Sequence, residues 1–446
     1  MVSVAALLAG CAASRSSVPD DAGVDAAAER LDEGLDESVG TADGGCVQQL
    51  SVPSDCRVDW ARAIGTDEWF VLPHAVRVRD DGSSLVSLTP IGGRLLIDGF
   101  ELDTAGSRAL LALDPSGRVA WALPRQAELL WTYDDVVITA RGFPYALERR
   151  RAMDGVLISE EAPPEGARWN GIARSACASS CTTREVRTLF WQDRLDLGAL
   201  GVVSGRYGFS VVMYEDDVPA WHWSTPLDSV FNPVVILPSS GITPEGSITL
   251  AIWPDTFDRP SPLCLAGAPC ISFPNSLVVR LSPGGTPDFT EVVHATRALL
   301  GTDDGFVMSP DPALTRIDAA GNRVWHNDQL GQAPRMLATD ARTGEIWAAF
   351  QIPREPVDLA GTTIVGCTIG VETSVIVMLD PNTGEVTRTK AAIRARVVAM
   401  ESHPDGGVIV QLFTVERPTV QALCGETLRR DDDPRGPIDV VIAHLE

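Results

Sequence analysis

Lysine is almost missing from this chain. Lys390 is the only one, so nearly all 36 basic residues are arginine, and 60 acidic residues set a formal charge of −24. Holding nucleic acid takes clustered cations against phosphates. The acidic balance therefore excludes nucleic acid as a partner, and no lysine cluster exists to hold anionic lipid. No apolar run reaches the roughly 18 residues that a membrane-spanning helix needs, so no transmembrane helix is expected. The six histidines (His74, His222, His294, His326, His403 and His444) are scattered, and no His-Glu-x-x-His is present. Also missing are a Gly-x-Ser-x-Gly elbow, a phosphate-binding Gly-x-x-x-x-Gly-Lys loop and a dinucleotide fingerprint. What remains is 45% apolar and 22% charged, enough for a sizeable core and unlike a wholly disordered chain.

The first eleven residues, MVSVAALLAGC, form an apolar run ending in Leu8-Ala9-Gly10-Cys11. Small residues before a cysteine at the end of such a run resemble the lipobox of bacterial lipoprotein signal peptides. The resemblance implies cleavage before Cys11 and acylation of its thiol; the run departs from the usual pattern in being short and lacking a basic start. Ala12 after the cysteine implies the outer membrane, on its periplasmic or outer side. Residues 12–45 are rich in Ala, Asp, Glu, Ser and Gly and lack aromatics. They cannot bury enough apolar surface to order themselves, so they read as a disordered acidic tether with a span of about 30 Å. The expected domains are thus a signal at 1–11, a tether at 12–45 and a folded region at 46–446.

Setting Cys11 aside leaves Cys46, Cys56, Cys177, Cys181, Cys264, Cys270, Cys367 and Cys424, an even number. Zinc would want Cys-x-x-Cys spacing or nearby histidines, and neither is there. Disulfides in an oxidising compartment fit better. Proximity pairs Cys46 with Cys56, Cys177 with Cys181 and Cys264 with Cys270, which leaves Cys367 for Cys424.

An internal repeat organises the rest. LLALDPSGRVAW (110–121), VVMYEDDVPAW (211–221), LVVRLSPGGTPDF (277–289), LTRIDAAGNRVW (314–325) and VIVMLDPNTGEVT (375–387) share alternating β-formers, a turn and a further β-former. ALERRRAMDGVLI (146–158) is a degraded copy and DVVIAHLE (439–446) a truncated one. The pattern is a β-hairpin with Gly-containing turns. Aligned on the turn, the copies fall at Asp114, Arg151, Glu215, Ser282, Asp318, Asp380 and Glu446, separated by about 36 or about 65 residues. A second hairpin precedes each, such as VRVRDDGSSLVSL (76–88) and VVAMESHPDGGVIVQLF (397–413). Two hairpins make four strands, A to D, and seven such units read as an all-β, seven-bladed β-propeller of four-stranded antiparallel blades. The last copy stops before its fourth strand, while VDWARAI (58–64) stands unpartnered at the start. The ring is therefore expected to close by strand 58–64 entering the last blade.

Five of the units carry inserts between strands B and C. LDLGALGVVSG (195–205), VDLAGTTIVGC (357–367) and, more loosely, IDGFELDTAG (97–106) share a subpattern similar to the SBBP-type repeats of bacterial surface proteins. The Asp-x-x-Thr-Gly-x-x-Trp run at 340–347 resembles the docking motif of PQQ-type propeller repeats, with its Trp one residue early. These resemblances imply an architecture and no activity.

Trp121, Trp221 and Trp325 recur at one blade position and read as inter-blade packing. Trp69, Trp131, Trp169 and Trp253 fall outside that pattern and are candidates to stack on a sugar or peptide. The acidic turns at Asp80-Asp81, Asp303-Asp304 and Asp431-Asp432-Asp433 offer hard oxygen ligands but match no calcium loop. No residue is assigned a catalytic, cofactor or metal role. The expected function is a lipid-anchored, non-catalytic binding or scaffold module, contacting a protein or carbohydrate on the face that carries the B–C inserts. The alternative is a propeller enzyme, quinoprotein-like or carbohydrate-active.

Overall fold

The Asp-x-x-Gly signature folds as a hairpin turn for local reasons. The Asp114 carboxylate accepts hydrogen bonds from Ser116 N and Arg118 N, both at 2.9 Å, and Gly117 sits at φ +77°, where a side chain is strained. Asp318 accepts in the same way from Ala320 N and Asn322 N, each at 2.8 Å. The computed structural model of the chain describes residues 56–446 apart from 175–183, 228–233, 237–241, 254–269, 353–356, 365–372, 415–420, 431–435 and some shorter stretches.

Seven four-stranded antiparallel blades result. Blade 1 has strands A to D at Phe70–Val78, Ser84–Ile91, Ala109–Leu113 and Val119–Pro124. Blades 2 to 6 occupy 127–161, 167–227, 234–294, 299–327 and 336–393. Blade 7 takes strands A to C from Arg396–Ser402, Val408–Phe413 and Val440–Leu445, and strand D from the start of the chain, Val58–Thr66. That strand pairs with Val440–Leu445 from Val58↔Leu445 to Ile64↔Val440, so the expected closure is present.

The core is not one mass but seven apolar layers, one between each pair of neighbouring blades. Strand alternation supplies them. In strand B of blade 7, Val408, Val410 and Leu412 pack toward blade 6 while Ile409 packs toward blade 1. Both faces of such a strand are buried, and this is why the repeat reads as a nearly continuous apolar run.

The recurring Trp and the recurring Gly prove to be two halves of one contact. Trp60 of strand D in blade 7 lies on Gly117 of the next blade, so closely that a Cβ there would be 2.3 Å from the indole. The same step places Trp221 on Gly285 and Trp325 on Gly384. Trp121 and Trp325 also donate Nε1–H to the carbonyls of Ala152 (2.7 Å) and Pro381 (2.9 Å) in the following blade. Trp347 behaves differently. It lies in strand B of blade 6, is buried, and donates to its own blade's Asp340 at 3.4 Å; Asp340 in turn accepts from Gly407 N of blade 7 at 2.9 Å, so the 340–347 run meets the next blade through its carboxylate.

Two inserts are used to hold the closing strand. The blade 1 insert folds as a hairpin, Arg94–Ile97 and Phe100–Asp103, and pairs with the outer edge of strand D of blade 7 (Ile64↔Ile97, Thr66↔Leu95). The blade 7 insert contains the hairpin Gln421–Leu423 and Glu426–Leu428. It leaves strand B at Phe413, level with Val440 and Ile64, yet reaches back about 20 Å along the flank to bond Cys424 to Cys56, next to the far end of strand D. The expected Cys46–Cys56 and Cys367–Cys424 pairings are therefore wrong: Cys56 and Cys424 are bonded to each other, with Cα atoms 5.3 Å apart. Nearness in sequence misled because the ring brings together residues 368 positions apart. In blade 3 the insert is not separate at all. Strands B and C simply lengthen, to Arg184–Asp196 and Val202–Glu215, around a short 3-10 turn at Gly198–Leu200.

Candidate functional site

Residues 67–69 connect the closing strand to strand A of blade 1, on the face from which the B–C inserts leave. Gly92 and Gly93, at φ +69° and +67°, carry the chain out of strand B beside them. A Cβ on Gly93 would fall 2.2 Å from Asp67 Oδ1, so only glycine admits the carboxylate. Asp67 accepts from Arg94 N at 2.6 Å and from Arg94 Nε at 3.1 Å. The Arg94 amide, and then its guanidinium, hold the Asp67 carboxyl below the usual carboxylate range. Arg94 also donates to Glu101 of the insert hairpin. This clamp presents Trp69, which is 49% exposed. A Cβ placed on Gly92 would lie 2.8 Å from the indole Cδ1 and 3.2 Å from Glu68 Oε2, so ring and carboxylate stand side by side.

Nearer the axis, Arg77 of blade 1 and Glu401 of blade 7 form a buried ion pair at 2.5 Å, joining the two innermost strands at the closure seam. Burial pushes the Glu401 carboxyl up, opposed by the Arg77 guanidinium. His74 bonds Thr89 Oγ1 at 2.6 Å; burial, with the Arg108 charge adding to it, pushes its imidazole down to about 4. It is neutral at pH 7.

The opposite face, made of A–B and C–D turns, holds a second set of groups. The rings of His403 and His444 are 4.0 Å apart. His444 Nδ1 faces Asp59 at 3.3 Å and its Nε2 donates to Gly406 O at 3.0 Å. His403 Nε2 reaches Gly82 O at 3.3 Å. These contacts tie blade 7 to its own strand D and to blade 1, and they serve closure.

Between blades 2 and 3 the Trp–Gly contact is replaced by charge. Arg187 contacts Glu185 at 2.5 Å and Glu161 at 2.6 Å, Arg149 bridges the same two carboxylates at 3.2 and 3.1 Å, and the Arg187 guanidinium lies 3.9 Å from the Tyr214 ring centre. The sequence carried only a faint sign of this in the degraded repeat at 146–158.

Of the residues singled out in the sequence, Trp69 is exposed on the insert-bearing face and Trp169 is buried between blades 2 and 3. The side chains of Trp131 and Trp253 lie outside the described residues, as do Cys11, Cys46, Cys177, Cys181, Cys264, Cys367 and Asp431-Asp432-Asp433. Cys270 is disulfide-bonded. Asp81 pairs with Arg79 at 2.9 Å and Asp304 with Arg316 at 2.7 Å, so both carboxylates are committed to turn structure. Among the described residues no group of three or more His, Cys, Asp or Glu side chains is placed to share a metal ion. The clamp around Trp69 was legible only as two adjacent glycines after a strand, and nothing linked them to Asp67.

No protein-family model and no curated protein matches the sequence. Solved structures with a similar course of the chain include BamB from Moraxella catarrhalis, at 12% identity over 84% of this chain and 85% of that one with a TM-score of 0.36. The Dos1 propeller gives 8% identity over 85% and 95%, with a TM-score of 0.45. Quinohemoprotein alcohol dehydrogenase from Comamonas testosteroni gives 10% over 88% and 76%, with a TM-score of 0.41.

Proposed function

We propose that this chain is a lipid-anchored cell-envelope propeller that works as a non-catalytic binding or scaffold module, with its partner on the insert-bearing face. One observation carries the binding reading: a large aromatic side chain, Trp69, is held half exposed by a clamp of Asp67, Arg94 and the Gly92–Gly93 turn. A rigid aromatic anchor loses little entropy on association, and such residues dominate interface energies.

The envelope address is supported separately. The Cys56–Cys424 bridge suits an oxidising compartment, in keeping with a chain whose first eleven residues resemble a lipoprotein signal. A thiol at Cys11 would carry the lipid, residues 12–45 would stand the ring off the bilayer, and Ala12 favours the outer membrane.

Metabolic labelling with palmitate tests the anchor. The wild-type chain should incorporate label and Cys11→Ala should not; label retained by the variant would refute lipidation at this residue.

A further inference from the structure

We infer that the outer edge of blade 2 is a docking surface for an extended, apolar segment of a partner protein that carries a basic residue. The segment adds to the sheet as a fifth strand. This surface lies on the rim of the ring, goes beyond the reading of the insert-bearing face and does not rest on it.

The degraded repeat at 146–158 marks the place. Ile158 stands seven positions after Arg151, where Trp121 follows Asp114 and Trp325 follows Asp318 at the same interval. Those tryptophans are seated on the C–D turn of the next blade, Trp121 against Gly155 and Trp325 against Gly384. Blade 3 offers no such seat, because its C–D turn is Glu215-Asp216-Asp217-Val218, without a glycine. The outer strand of blade 2, Leu157–Glu161, is left bare. Met153, Val156, Leu157 and Ile158 are between 41% and 70% exposed, four of the ten exposed large apolar side chains among the described residues. Apolar side chains gathered so closely on a surface mark an interaction site.

The edge itself says what covers it. Among the described residues, Leu157–Glu161 pairs with strand C alone and ends its sheet. A register shift leaves Ile158 with no partner in strand C, and its side chain faces solvent. At blade 7 the same outer edge is occupied, since Arg94–Ile97 pairs along Ile64, Gly65 and Thr66. The molecule thus already covers one outer strand by strand addition, and it leaves the blade 2 edge open to a strand from outside. Charge selects the source of that strand. Two copies of this chain, each at −24, repel one another. A segment with an arginine or lysine gains from the same field, and from Glu160 exposed at the upper end of the strand.

A phage-displayed dodecapeptide library is panned on the full chain, and the enriched peptides are synthesised with fluorescein and read by anisotropy. They should alternate large apolar residues and carry Arg or Lys. Leu157→Ser with Ile158→Ser should weaken their binding about tenfold, and Glu160→Gln about threefold. Val324→Ser, which trims an exposed apolar residue from strand D of blade 5, should leave binding unchanged. Unaltered melting temperatures confirm that the variants are folded. Bound peptide should also slow hydrogen exchange at the amides of residues 157–161. A library that yields no binder, or only binders indifferent to the double variant, would overturn the surface. Binding that depends on Leu157 and Ile158 without protecting those amides would overturn strand addition. A wild-type dimer in sedimentation that the double variant dissolves would overturn the foreign segment in favour of a second copy.

Discussion

At the scale of single residues, the close approach of Trp60 to Gly117 is the contact most sensitive to one atom. Gly117→Ala puts a Cβ at φ +77° and 2.3 Å from the indole, combining backbone strain with overpacking. The loss should be about 2–4 kcal/mol. Gly344→Ala has the same kind of φ, +75°, with nothing within 4 Å, and should cost only about 1 kcal/mol. Urea unfolding of the two variants measures the difference, and equal losses would mean that the Trp–Gly contact contributes nothing beyond strain. Histidine burial has a consequence in pH. His74 is pushed down to about 4, and His403 is lowered by burial and then by His444, against the pull of Asp405 and Asp59. With unfolded values near about 6.5, the unfolded chain binds protons between pH 6.5 and 4 that the folded chain refuses. Stability should therefore fall as pH drops through that window. The urea midpoint should decrease from pH 7 to pH 4.5, and His74→Gln should flatten the decline; a midpoint independent of pH across that range would contradict the burial of these imidazoles.

Among the elements, the strand Val58–Thr66 is held on every side. It pairs with Val440–Leu445 on one edge and with the Arg94–Ile97 hairpin on the other. Arg62 donates to the carbonyls of Gly117 and Ser116 at 2.9 Å each, and Cys56 is bonded to the blade 7 insert. A bridge across so long a loop restricts the unfolded chain strongly, and removing it by Cys56→Ser with Cys424→Ser should cost about 2–5 kcal/mol. A melting temperature that is the same with and without reductant would show the bridge to be dispensable. Much of this was legible in the chain. Turns, strands and the unpartnered VDWARAI segment follow from local chemistry, since Asp114 and Gly117 act within five residues of each other. The roles of the inserts were not legible. Hairpin 94–103 announces its own Asp-Gly turn between apolar residues, but only the return of the chain to blade 7 gives it an edge to pair with.

For the whole molecule, closure is what makes seven marginal sheets one cooperative unit. Each blade buries its faces only against its neighbours, so an open ring exposes the layer between blades 7 and 1, including Trp60, Ile64, Val76 and Ile442. Deleting residues 46–64 should abolish the single sharp unfolding transition. Retention of the wild-type melting temperature would show that the N-terminal strand is not structural.

Periodicity, turn chemistry and the missing fourth strand of the last repeat were enough to determine the class of fold, the number of blades and the way the ring closes: strands and turns depend on residues near one another in sequence, and the closing pair, though distant along the chain, is specified by the count of strands per repeat. The pairing of Cys56 with Cys424, the ion-pair network around Arg187 and the exposure of Trp69 were decided by tertiary structure alone. Each joins or uncovers groups according to how neighbouring blades and inserts pack, and spacing along the chain carries no measure of that distance.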